Sequence, residues 1–125
     1  MNTKIKYSPD HIPFVGLKED RKLYLEPDEN GVYMSEMWNL DICIASFIIP
    51  RLELFRETVN EYPVSIADNT KDFDKNLEIW KEILQKMIVA FKIVEKGEYG
   101  EEFDEKNVKE GLKLFAKHMT GLWNQ

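Results

Sequence analysis

One cysteine, two histidines, six glycines and five prolines are spread over 125 residues, and each scarcity closes a class of explanation. A lone thiol, Cys43, cannot build a disulfide framework or the paired ligands of a zinc finger. His11 and His118 stand far apart, and neither has a second histidine at helical spacing, so no transition-metal pattern forms. The glycines include no phosphate-cradling run, and Ser8, Ser35, Ser46 and Ser65 lack the glycine frame of a nucleophile elbow. The acidic stretch from Asp68 to Asp74 spaces its oxygens as a calcium loop would. However, Phe73 stands where the turn requires glycine, and Ile79 where the bidentate glutamate belongs. Basic charge is short as well: 17 Lys and Arg against 23 Asp and Glu give a net charge of -6, whereas phosphate-backbone binding needs clustered cations. No apolar run approaches the roughly 20 residues that span a bilayer, and none has the profile of a signal peptide. The expectation is a non-enzymatic cytoplasmic protein with no cofactor, no metal, no membrane and no direct nucleic-acid partner.

What the chain does hold is apolar material, 43% of its residues, with 12% aromatic. That suffices for one domain to bury a core without staples. Residues 1–34 read as an irregular arm, because Pro9, Pro13 and Pro27 interrupt any helix and Pro27 to Gly31 is a turn cluster. Leu23-Tyr24-Leu25 and Val32-Tyr33-Met34, on either side of that turn, could pair as a short β-hairpin.

Residues 35–125 read as an all-α, three-helix bundle. Trp38, Ile42, Ala45, Ile48, Ile49, Leu52, Phe55 and Val59 step by three or four, and the proline among them, Pro50, predicts a kink or a break with restart. The run from Ile42 to Ile49 is apolar nearly all round, which marks this helix as the central one, with Cys43 as a small buried hydrophobe. Tyr62-Pro63 stops it. Phe73, Leu77, Trp80, Leu84, Met87, Phe91 and Val94 set the seam of a second helix beginning between Thr70 and Asp72 and ended by Gly97 and Gly100. Asp104 is the expected cap of a third, with Val108, Leu112, Phe115, Met119 and Leu122 on its apolar face. Gly111 inside that helix costs about 1 kcal/mol against alanine, which makes sense if another helix crosses closely there. Leu122-Trp123 should dock on the core.

One polar residue invites a site. Asp41, at the start of the apolar run, is explained by the positive end of the helix dipole. It could also form a small pocket with Tyr33, Trp38, Arg51 or Arg56, where an aromatic face and an arginine hold a ligand or a partner's side chain.

Glu36-Met37-Trp38-Asn39-Leu40-Asp41, Ile44-Ala45 to Leu52, Tyr62-Pro63, Trp80 to Leu84 with Met87, and Gly111-Leu112-Lys113-Leu114-Phe115 with Leu122-Trp123 together resemble a set of small uncharacterised proteins of tailed bacteriophages and prophages. The resemblance spans residues 31–124 and implies phage origin and an all-helical core, but no reaction. Tyr33 departs from it, standing where a Ser or Thr cap is expected, so the reciprocal capping box is lost unless Ser35 caps. The expected function is that of an accessory binding protein modulating a host or defence factor by contact with a host or phage protein. Tyr24, Tyr33, Glu36 and Asp41 at the arm and helix entry, with Trp38, Arg51 and Arg56, are the candidate binding residues. A small-molecule binder, for instance one sequestering a nucleotide signal through Arg21, Lys22, Arg51 and Arg56, is the alternative. A virion or assembly component acting as a homo-oligomer is a further one.

Overall fold

The computed structural model describes residues 29–67, 70–97 and 102–123, and all regular structure in them is helical. Four α-helices follow in order: α1 (Leu40–Thr58), α2 (Val64–Ala67), α3 (Phe73–Lys96) and α4 (Glu102–His118). Short 3-10 segments, Met34–Asn39 and Met119–Gly121, lead into α1 and out of α4. No strand occurs among the described residues. Met34, the last residue of the expected second hairpin strand, already begins the first 3-10 segment, and Leu23 to Leu25 lie outside the described residues.

Helix α3 is the frame. Asp72 caps its start, its Oδ1 accepting the Lys75 N–H at 3.2 Å, and Gly97 ends it in the left-handed conformation at φ 70°, donating to the Val94 carbonyl. Helices α1 and α4 each pack extensively on α3 and far less on each other. The central helix is therefore α3 and not, as the all-round apolar run suggested, α1. The adjacent buried pairs Met87-Ile88 and Ala90-Phe91 explain it, since they widen α3's buried arc beyond a single seam until it serves two neighbours. Trp80, Leu84 and Met87 are fully enclosed. Phe73, expected in the seam, is half exposed and leans on Tyr62, with ring centroids 5.0 Å apart. Asn76 takes the inward place instead, donating to the Thr70 carbonyl at 2.8 Å and to Tyr62 Oη at 3.3 Å.

On the α4 side the expected close crossing is present. A Cβ built on Gly111 would meet Ala90 Cβ at 2.3 Å and the Lys86 carbonyl oxygen at 2.6 Å. Around this contact Phe91 and Phe115 meet edge to face at 5.2 Å, and Lys86 pairs with Glu110 at 3.0 Å. The buried face of α4 runs through Val108, Gly111 and His118, while Leu112 and Met119 are exposed. The helix starts at Glu102, so Asp104 lies in its first turn rather than capping it, where a carboxylate still suits the helix dipole. His118 packs edge to face on Trp80 at 5.6 Å. Burial, reinforced by the Lys117 charge, holds its imidazole below the ordinary value. Leu122 packs on the core as expected, but Trp123 is exposed.

On the other side, α1 runs through Pro50 as one helix, so the break-and-restart reading is overturned. The proline is tolerated because it stands on the exposed side, where its missing donor and crowded ring disturb no packing. Ser46 Oγ donates to Glu95 at 3.0 Å and Lys92 pairs with Glu53 at 3.1 Å, both between α1 and α3. Helix α1 ends at Thr58, with Val59 already extended, four residues before the Tyr62-Pro63 expected to stop it; Pro63 instead directly precedes the short α2, which seats Ile66 in the core.

Candidate functional site

Two opposite faces of α1 are apolar, and only one packs on the other helices of the described residues. Ala45, Ile49 and Leu52 face the core. Leu40, Ile44, Phe47, Arg51 and Leu54 step by four, three, four and three along the opposite side, the spacing of a helix seam. That second stripe is open: Ile44 is 52% exposed and Leu54 61%, with Leu40 and Phe47 both at 44%. Met37 and Trp38, also exposed, adjoin it in sequence at the entry of the helix. The one charged member is pinned down. The Arg51 guanidinium lies 3.7 Å from the Phe47 ring centroid and donates from Nη1 to the Phe47 carbonyl at 2.7 Å. Its charge is thus held against backbone and ring, and the stripe stays continuous.

The entry segment is fastened by Glu36. One carboxylate oxygen accepts the Tyr33 N–H at 2.8 Å and the other the Cys43 thiol at 3.3 Å, while the Glu36 N–H donates to the Tyr33 carbonyl at 3.0 Å. Half of a capping box therefore survives without a Ser or Thr, because the return bond uses the tyrosine's backbone carbonyl. Burial first, and then the hydrogen bond and charge of Glu36, push the Cys43 thiol up to about 12. At neutral pH this cysteine is a small apolar residue with a weak donor, as its place in the apolar run suggested.

The expected site residues separate into groups. Tyr24 lies outside the described residues. Tyr33 is buried and Glu36 is engaged in the bracket just described, so both act in the fold. Trp38 and Arg51 are on the open surface, and Asp41 is exposed in the first turn of α1. Arg56 reaches across to α3, donating from Nε to the Lys81 carbonyl at 3.0 Å. A single pocket gathering Asp41 with both arginines does not form. Arg51 and Arg56 stand roughly 15 and 22 Å farther along the helix axis at 1.5 Å per residue. Arg56 instead lines an open depression of about 410 Å³ with Glu53, Glu57, Lys81, Gln85 and Ile88. Two acids offset its two bases, which is poor company for a phosphate.

Leu40, Ile44, Phe47 and Leu54 were not among the expected site residues. Testing the apolar run for a second seam, instead of reading it as one broad core helix, would have found them. Among the described residues no group of His, Cys, Asp and Glu is arranged to hold a metal, and no helix is long and apolar enough to cross a membrane. No protein family, curated protein or solved structure matches this chain.

Proposed function

We propose that this chain is a phage-encoded accessory binding protein, a three-helix bundle that acts by protein–protein contact through the outer face of α1. One observation carries the reading: a helix already packed on one side presents a second seam of exposed apolar residues on the other. Single exposed hydrophobics are ordinary, but a contiguous apolar surface rimmed by polar residues marks an interaction site. Phe47 and Trp38 are the residue types that anchor such contacts, and Arg51, stacked and hydrogen-bonded, joins them. The partner would be a host or phage protein.

The test is affinity capture from infected-cell extract with tagged wild type, Phe47→Glu, Leu54→Glu and, as a control off the stripe, Glu57→Ala. Circular dichroism verifies that each variant is folded. The reading expects the two stripe variants to lose their specific partner and the control to keep it. Stripe variants that retain every partner would refute it.

A further inference from the structure

We infer that the occupant of the α1 outer face is a second copy of the chain, bound through an antiparallel helix pair. This rests on the protein-contact reading above and names its partner. Three features of the face select that occupant.

The first is shape. The four-three alternation of Leu40, Ile44, Phe47, Arg51 and Leu54 follows the seam of one helix against another, and a stripe of that kind is complementary to its own two-fold image. The second is area. The exposed parts of Leu40, Ile44, Phe47 and Leu54, together with those of Met37 and Trp38 that adjoin the stripe in sequence, amount to at most roughly 600 Å² per protomer, below the ~800 Å² per partner of a standard specific interface. A pair of this size falls at the low end of specific interfaces, where weak, reversible association is found. The third is Arg51, which fixes direction. Parallel helices in register would stack each seam residue on its own counterpart and bring two guanidinium groups together. An antiparallel pair sets Arg51 beside Leu40 or Phe47 of the other copy, where its stem packs while its guanidinium stays on its own Phe47 ring and carbonyl. A polar residue at one seam position is a known means of specifying register and partner number.

Sedimentation velocity on the full chain between about 1 and 200 µM tests association. The expected result is a monomer–dimer equilibrium whose dissociation constant rises at least tenfold in Phe47→Glu and again in Leu54→Glu, with helicity unchanged. Direction is read by spin labelling at Asn60→Cys, beyond the end of α1. The buried Cys43 thiol, with its raised pKa, leaves the new cysteine as the reactive one. An antiparallel pair places the two labels roughly 30–45 Å apart along the helix axis, and a parallel pair brings them within about 20 Å. A short distance overturns the antiparallel arrangement. A chain that stays monomeric throughout overturns the second copy. If Phe47→Glu still loses a different captured protein, the face belongs to that partner and the proposed function stands. If it loses none, the proposed function falls as well.

Discussion

Replacing Gly111 with alanine should destabilise the protein, although in a helix interior the change normally gains about 1 kcal/mol. The opposing effect is local. The new methyl would sit 2.3 Å from Ala90 Cβ and 2.6 Å from the Lys86 carbonyl oxygen, whereas carbon atoms rest at about 3.5–4.0 Å. One obstacle is backbone and the other a Cβ, so neither can swing aside, and α3 and α4 must part by roughly 1 Å. A gap of that order forfeits between a quarter and half of each dispersion contact along the seam, including Phe91 on Phe115. Overpacking of this kind costs typically 1–3 kcal/mol, and a backbone obstacle places it at the upper end. The net loss should be about 2 kcal/mol, or a melting temperature lower by about 5–10 °C, read by differential scanning calorimetry. The companion variant Ala90→Gly should relieve part of the clash, so that the double mutant is more stable than the sum of the single changes predicts. A melting temperature that is unchanged or higher in Gly111→Ala would show that the helices are not in backbone contact there.

Two further predictions concern titrating groups. His118 has a folded pKa below its unfolded one, so the unfolded chain binds the proton first and stability falls as pH drops below about 6.5. His118→Phe, which keeps the edge-on ring against Trp80, should flatten the urea midpoint between pH 7 and pH 5, and an unchanged slope would refute the assignment. For Cys43, a pKa near 12 leaves roughly one thiolate in ten thousand at pH 8, so labelling with an aromatic disulfide reagent should proceed only as fast as the chain opens. Full labelling of the native protein within seconds would refute the burial.

Helix identities were legible in the sequence because apolar spacing survives translation into packing: Trp80, Leu84, Met87, Phe91 and Val94 read as a seam and form one. The errors came where the seam is not apolar. Gly111 and His118 take the inward places that the pattern assigned to Leu112 and Met119, and Asn76 takes one beside the exposed Phe73. A periodicity of hydrophobicity cannot register a position whose polarity is met inside by Thr70 and Tyr62, whereas Gly111 was legible through its cost to the helix and not through the apolar spacing. Asn76 Oδ1 and Trp80 Nε1 remain the buried side-chain polar atoms without a partner among the described residues, a cost that no sequence pattern announces. The candidate site was half legible. Trp38 and Arg51 could be named from residue type, but whether an all-round apolar helix lies in the middle or at the side depends on which neighbour can serve two partners. That property belongs to α3 and its small Ala90, not to α1.

The composition of the open stripe has a consequence for how it can be met. Ile44 is branched at Cβ, Phe47 has two torsions, the ring of the exposed neighbour Pro50 has no rotamers to lose, and Arg51, whose free side chain would carry the largest entropy, is already tethered at both ring and carbonyl. At Ile44, Phe47, Pro50 and Arg51, part of the ordering that association normally demands has therefore been done during folding. On the proposed contact reading, such a face would meet a partner with little rearrangement of Arg51, and it would favour a surface that already fits over one that needs it to adjust.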